Sequence, residues 1–153
     1  MLRASTGEVL RLHIVAEEGQ VPGQAAPLPA DVVEALACYD AGSDEKLRGL
    51  SVAPAPTRFA SRVREAILAI PRGEVRTYGQ IATRIGQGKA ARAVGRACAT
   101  NPVPLIVPCH RVIASDRGLH GFGLGLSLKR RLLQFEGVQL ESECDLVMGP
   151  IGT

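Results

Sequence analysis

Val63, Ala66, Ile67 and Ile70 recur at the three- and four-residue spacing of one helical face. Thr57 or Ser61 ahead of them offers a cap and Pro71-Arg72-Gly73 behind them a stop, so the pattern predicts a helix running through about Ile70. Next, Thr77 caps a predicted helix from Tyr78 to Ile85, Gly86-Gln87-Gly88 turns the chain, and Lys89 to Ala99 reads as another helix. Two short helices joined by a glycine turn have the sequence shape of a helix-turn-helix. The period differs towards the start, where Val9-Leu10-Arg11-Leu12-His13-Ile14-Val15 partly alternates between Gly7 and Gly19 and predicts a strand. A loop from Gly19 to Ala30 follows, then a helix from Val32 to Tyr39 capped by Asp31, with Gly42 beyond its end. Towards the other end, Ser127 caps a helix from Leu128 to Glu136 that Gly137 terminates.

Val52-Ala53-Pro54-Ala55-Pro56 punctuates the chain, and the charge changes sign there. Residues 1–56 hold four Lys/Arg against eight Asp/Glu, net −4; residues 57–140 hold fourteen against four, net +10; residues 141–153 hold none against three, net −3. These bounds divide the chain into a short α/β segment, a basic domain and an acidic tail. A segment so basic attracts a phosphate backbone, although an arginine-rich solvated surface has the same composition. With 153 residues, 46% of them hydrophobic, the chain suits one ordinary domain or two small ones. No apolar run reaches membrane-spanning length, and the first eight residues lack the apolar core of a signal peptide, which predicts a cytoplasmic address, or a nuclear or nucleoid one where DNA lies there. Cys38, Cys98, Cys109 and Cys144 form no CxxC pair, so neither a zinc knuckle nor a disulfide framework is expected, and His13 and His120 have no metal-ligand spacing.

Three stretches carry candidate chemistry. The helix Lys89 to Ala99 is built of small side chains, with only Val94 and Cys98 offering core bulk, while Arg92 and Arg96 share a face. Interior Gly95 costs about 1 kcal/mol of helix propensity, which close approach to a partner would explain; a tightly packed helix with two solvated arginines is the plainer alternative. The last helix opposes its own macrodipole, with Lys129, Arg130 and Arg131 in its first half and Glu136 at its end. That pattern suggests a basic end facing an external anion and an internal partner for Glu136. Finally, Cys109 stands before His110 and Arg111, after an apolar run that Pro102, Pro104 and Pro108 keep from becoming a helix. A nearby cation or imidazole lowers a thiol's pKa, and Glu136 is the carboxylate available to orient His110, giving a Cys/His/Glu set. In extended backbone, adjacent side chains point oppositely, so His110 would reach the thiol through a turn or a water. A buried structural thiol beside a core histidine is the commoner arrangement for such residues.

Ile106-Val107-Pro108-Cys109-His110-Arg111-Val112 resembles the active-site signature of the O6-alkylguanine-DNA alkyltransferases, the methylated-DNA-protein-cysteine methyltransferases. Gly73-Glu74-Val75-Arg76-Thr77-Tyr78, Lys89-Ala90-Ala91-Arg92-Ala93-Val94-Gly95, Asn101-Pro102-Val103-Pro104 and Glu136-Gly137 resemble the family in order and spacing, so the likeness covers residues 57–139. The resemblance implies an α/β (α+β) chain: a truncated ribonuclease-H-like sheet domain, then a mostly helical, winged helix-turn-helix-like domain. It implies a cofactor-free, monomeric suicide protein that binds duplex DNA through the minor groove, largely without regard to sequence, and moves the alkyl group of O6-alkylguanine once to its own Cys109.

In that scheme His110 deprotonates Cys109 through a water, Glu136 holds His110, Asn101 ties the helix pair to the reactive segment, and Tyr78 protonates the departing guanine while crowding a phosphate. Arg92 fills the space of the extruded base, from a helix whose Ala91, Gly95 and Arg96, with Thr77, meet DNA. Pro104, Val112, Leu119, Phe122, Gly123 and Cys98 line the substrate pocket. The run Phe122-Gly123-Leu124 departs from the usual Tyr, Ser or Gly, Gly. Phe122 cannot donate to guanine O6, which passes that contact to backbone N–H groups such as that of Gly123, and Leu124 reshapes the pocket. An alkyltransferase-like protein that flips alkylguanine without repairing it is the alternative, but such proteins lack the acceptor cysteine. A cysteine hydrolase fits the basic helix pair poorly.

Overall fold

A computed structural model describes residues 2–3, 7–12, 14, 28–141, 146–148 and 151–152 of the chain. It shows a mixed fold of helices with two small two-stranded sheets. Two compact units are present, one of Met1–Ala53 with Pro102–Ile106 and one of Pro54–Asn101 with Val107–Thr153.

In the first unit β1 (Leu2–Arg3) pairs antiparallel with β2 (Val9–Arg11). Val9 is fully buried, and its backbone bonds on to Ser51 and Ala53, while Leu12 N donates to Pro102 O at 2.8 Å. The strand is shorter than the alternation of Val9 to Val15 predicts: Leu12 and Ile14 lie outside it, and His13 and Val15 fall outside the described residues. Helix α1 (Ala30–Asp40) buries Val32, Ala35 and Tyr39. Its N-cap is Pro29, and Asp31 sits within the first turn rather than capping it, favourably placed for the helix dipole. The short helix α2 (Glu45–Gly49) was not expected, because Leu47 alone is buried and five residues show no period; Lys46 reaches Glu34 on α1.

The second unit begins with α3 (Arg58–Leu68), whose N-cap Thr57 accepts from Ala60 N at 3.1 Å. Its buried face is the predicted one, Val63, Ala66 and Ile67, with Ile70 buried just past the end. A two-residue strand β3 (Arg76–Thr77) leads into α4 (Tyr78–Arg84) through a full capping box: Thr77 Oγ1 accepts from Gln80 N and Gln80 Oε1 from Thr77 N. After the Gly86 turn, at φ +70°, α5 runs Ala91–Ala99, two residues later than the sequence suggests, because Gln87 O and Ala90 N close a turn first. Cys109–Arg111 form one 3₁₀ turn, not extended chain, followed by β4 (Val112–Ile113). Strand β4 pairs parallel with β3, Arg76 opposite Val112 and Thr77 opposite Ile113. This register brings the start of α4 beside the segment that leaves Cys109.

Helix α6 (Leu126–Phe135) is capped by Gly125 at φ +92°, and Ser127 lies inside it. Lys129 and Leu133, one turn apart, both face inward. Leu133 joins Val75, Ile113, Leu119, Val138 and Val147 in the core of this unit, with Leu140 and Ile151 packed against it. At the far end Arg72 donates to Phe135 O at 3.0 Å with its guanidinium 4.8 Å over the Phe135 ring, a cation where the helix dipole favours one. Among the described residues no helix is long and apolar enough to cross a membrane.

Since Leu133 is fully buried in that cluster, Leu133→Ala should lower the unfolding free energy by about 3 kcal/mol. Chemical denaturation monitored by circular dichroism measures it, and a loss below about 1 kcal/mol would contradict this packing.

Candidate active site

The 3₁₀ turn places Cys109, His110 and Arg111 in the interior, with Cys109 only 4% exposed and His110 fully buried. Asn101 holds this segment from the end of α5: its Nδ2 donates to Val107 O at 2.9 Å and to Cys109 Sγ at 3.1 Å. Two bonds from one amide therefore fix both the approach to the turn and the thiol itself.

Glu136, at the C-cap of α6, receives the other side of the turn. His110 Nε2 lies 2.8 Å from its Oε1, and Arg111 donates through Nε to Oε2 and through Nη2 to Oε1, each at 2.8 Å. Arg111 Nη1 also donates to Ile70 O, a carbonyl beyond the end of α3, at 2.8 Å. Burial works to raise the Glu136 pKa, but the bonds from His110 and Arg111 outweigh it and hold the carboxyl down to about 2. An ionised Glu136 only accepts, so the His110 nitrogen facing it carries the hydrogen and Nδ1 is left as a base. Nδ1 is buried and has no hydrogen-bond partner among the described residues. Burial lowers the His110 pKa, more than the Glu136 contact raises it, and keeps the ring neutral.

The cation that acts on the thiol is not the one its sequence neighbourhood suggests. Arg111 is committed to Glu136 and Ile70, whereas Lys129, expected to face an external anion, is fully buried. Its Nζ donates to Val112 O at 2.7 Å and Leu119 O at 2.8 Å and stands 6.0 Å from the centre of the Phe122 ring. Burial pulls the Lys129 pKa down to about 8, against the opposing pull of Cys98 and Cys109. Burial raises the Cys109 pKa; the Asn101 bond and the Lys129 charge oppose that rise without cancelling it. A thiol so placed is protonated at neutral pH until a base acts. Cys98, also buried, is pushed up to about 12. The signal for Lys129 was present in the sequence, as a lysine one helical turn before Leu133 on the apolar stripe of α6.

A cleft of about 700 Å³ opens between α4, α5 and the loop 118–125, lined by Tyr78, Arg92, Gly95, Ala99, Phe122 and Gly123 among others. The Tyr78 ring packs by Gly95, where a Cβ would come 3.9 Å from it, and the Tyr78 hydroxyl donates to His120 O at 3.2 Å. Burial, then the two thiols, pushes the Tyr78 pKa up to about 12, so the phenol keeps its proton. Gly123 lies against the end of α5, where a Cβ would sit 3.2 Å from Ala99 O. Gly121, at φ +63°, and Gly125 bracket this stretch of loop. Of the other expected residues, Thr77 caps α4, Ala91 is half-buried, and Arg92 and Arg96 are exposed on α5. Cys98, Val112 and Leu119 are buried and do not line this cleft, and Pro104 is buried in a segment belonging to the first unit. Among the described residues no group of three or more His, Cys, Asp or Glu could hold a metal ion.

Residues 58–138 match the family described as 6-O-methylguanine DNA methyltransferase, DNA binding domain. The methylated-DNA–protein-cysteine methyltransferase of Mycobacterium bovis is 44% identical over 131 residues, 86% of this chain and 74% of that protein. The crystal structure of Mycobacterium tuberculosis OGT in complex with DNA superposes with a TM-score of 0.70 at 39% identity, covering 88% of this chain and 84% of the other. Schizosaccharomyces pombe Atl1, in complex with damaged DNA containing O6-carboxymethylguanine, gives 0.53 at 33% identity over 60% of this chain and 88% of its own. A buried thiol held by an amide, an imidazole oriented by an ionised carboxylate, and this likeness in sequence and in fold lead to one conclusion: the chain belongs to the 6-O-methylguanine DNA methyltransferase family.

Proposed function

We propose that this protein repairs DNA by transferring the alkyl group of O6-alkylguanine to its own Cys109, directly, stoichiometrically and irreversibly. The observation that carries this reading is the position of Cys109: Asn101 bonds its sulfur, and the adjacent His110 is paired to Glu136. His110 Nδ1, through a bridging water, takes the thiol proton. The thiolate sulfur then forms a bond to the alkyl carbon as the carbon–O6 bond breaks, and the electron pair passes to the guanine. Tyr78 gives its hydroxyl proton to the guanine ring, solvent restores the tyrosine, and His110 releases the proton it took. The product is a thioether, which offers no route back to a thiol, so each chain acts once.

An alkylated guanine inside a duplex must be extruded, at a cost of a few kcal/mol. Exposed Arg92, on a helix of small residues, is suited to fill the vacated space from the minor groove, with Ala91, Gly95, Arg96 and Thr77 along the backbone. The net +10 of residues 57–140 supports binding by phosphate contacts, independent of sequence and weakened by salt. Phe122 and Gly123 line the pocket, Val112 and Leu119 act on it only through Lys129, which their carbonyls hold, and the Gly123 N–H replaces the hydroxyl that Phe122 lacks. In this reading α4 and α5 are the helices of a winged helix-turn-helix-like domain over residues 57–140, residues 1–56 are a reduced ribonuclease-H-like domain, residues 141–153 are an acidic tail, and the protein works as a monomer wherever the cell keeps its DNA. Likeness to Atl1 favours one competing reading, a binder that marks damage without repairing it.

Intact-protein mass spectrometry with peptide mapping, after mixing with a duplex carrying one O6-methylguanine, should show one added methyl on Cys109, saturating at one per chain. An unmodified protein that still binds the lesion would favour the damage-marking reading. Cys109→Ala should keep DNA binding and lose all transfer; residual transfer would remove Cys109 as acceptor. Arg92→Ala should slow transfer from duplex DNA on the order of tenfold while sparing the free O6-alkylguanine base, and equal losses on both would exclude the space-filling role. The Glu136 pKa lies below its unfolded value of 4.5, at about 2. Its stabilisation is therefore complete above the unfolded value and lost as pH falls through the folded one. Denaturation midpoints should decline across that window and show a shallower decline in Glu136→Gln; identical profiles would contradict the assignment.

A further inference from the structure

The residues beyond Val138 lie outside the stretch matched to the family, yet their described part is attached to the second unit at several points. Leu140 and Val147 form an antiparallel bridge, with Glu141 N donating to Leu146 O at 2.9 Å and Met148 N to Gln139 O at 3.0 Å. Leu146 in turn bridges Gly118, and Val147 N donates to Arg117 O at 3.1 Å. Arg130, on α6, donates to Glu141 O at 2.9 Å. Ile151 packs on the core, and Gln80 Nε2 donates to Gly152 O at 2.8 Å.

The orientation of the Gln80 amide is dictated by chemistry. Thr77 N–H can only donate, so the atom 2.7 Å from it is Oε1, which leaves Nε2 for the Gly152 carbonyl. One side chain therefore closes the capping box of α4 and fastens the tail. Gly152 lies against the end of the Arg76 side chain, whose guanidinium donates to Glu74 and to Val75 O, each at 2.9 Å. The two attachments lie next to segments that line the cleft rather than in it. Gln80 sits two residues after Tyr78, and Gly118 opens the loop whose His120 carbonyl accepts from Tyr78.

We propose that the tail is a positioning strap for alkyl transfer: Gln80 ties Gly152 to the cap of the helix that carries Tyr78, while Leu146 and Val147 hold the stem of the loop that carries Phe122 and Gly123. The two attachments brace the two segments that receive the guanine, and Gln80 is a positioning residue acting through Thr77 and Tyr78. The inference rests on the alkyl-transfer reading. The two segments it joins differ in how the tail serves them. The loop gains a paired backbone edge at its entry, α4 gains a second bond to its capping glutamine, and neither attachment touches Cys109, His110 or Glu136.

Two variants of the full protein test it. In Gln80→Glu a carboxylate oxygen still completes the capping box but faces the Gly152 carbonyl with an acceptor; the second variant ends at Met148 and so lacks Ile151 and Gly152. Single-turnover transfer from a duplex containing O6-methylguanine should slow by about tenfold or more in both, as a displaced reacting group requires. The pH profile of Cys109 alkylation by iodoacetamide should stay as in the unaltered protein, since Asn101, His110, Glu136 and Lys129 are untouched. Transfer at the unaltered rate in both variants would overturn the strap, and so would a loss matched by an equal shift in the iodoacetamide profile, which reports general loosening. A failure of the unaltered protein to transfer at all would instead strike the alkyl-transfer reading, and it shows before any variant is made.

Discussion

A carboxylate enclosed by protein is stable only when donors surround it, and the second unit is arranged around meeting that demand at Glu136. Its position at the end of α6 makes matters worse, since the helix dipole already disfavours a negative charge there. Arg111 and His110 satisfy it together, and both come from the one turn that carries Cys109. Arg111 then extends the link to the Ile70 carbonyl. The end of α6, the exit of α3 and the reactive turn are thereby fastened at a single carboxylate. Removing one member of such a set leaves the others buried without partners, which costs more than the set contributes when whole.

Reactivity and burial conflict at Cys109, and the structure shows how the conflict is balanced. Enclosure protects the thiol from indiscriminate alkylating agents and from oxidation but disfavours the thiolate that attacks. Asn101 and Lys129 recover part of that loss by favouring the anion. His110, held neutral by burial, keeps an Nδ1 without a partner among the described residues. Lys129 does a second service, because its two carbonyl acceptors lie at Val112, just past the reactive turn, and at Leu119, in the loop that walls the cleft. A charge that stabilises the nucleophile is thus also a brace between nucleophile and pocket.

The helices of the second unit were legible because their burial repeats with helical period and Thr57 and Thr77 are strong caps. The link from Glu136 to His110 was legible for a different reason: a charge against the dipole needs an explanation, and a nearby histidine offers one. What the sequence hid was set by tertiary contact. Backbone geometry at Gly125, not the Ser127 hydroxyl, begins α6. Arg111 stands next to the thiol in sequence but turns away from it, whereas Lys129, twenty residues on, supplies the field. Charge alone placed Lys129 outside, and only its register with Leu133 argued for the interior. The tail offered no periodic signal, since its attachments are single backbone pairings, side-chain bonds from Gln80 and Arg130, and isolated apolar contacts.

Asn101 has a consequence for how the chain returns to the second unit. It precedes the excursion Pro102–Ile106 and bonds Val107 immediately after it, so the chain leaves the second unit and re-enters it through a single closed neck. The same amide that closes this neck bonds the sulfur, so the geometry of the thiol is set where the chain re-enters the second unit. The bonds that hold Cys109, His110 and Glu136 thus run between residues of the second unit.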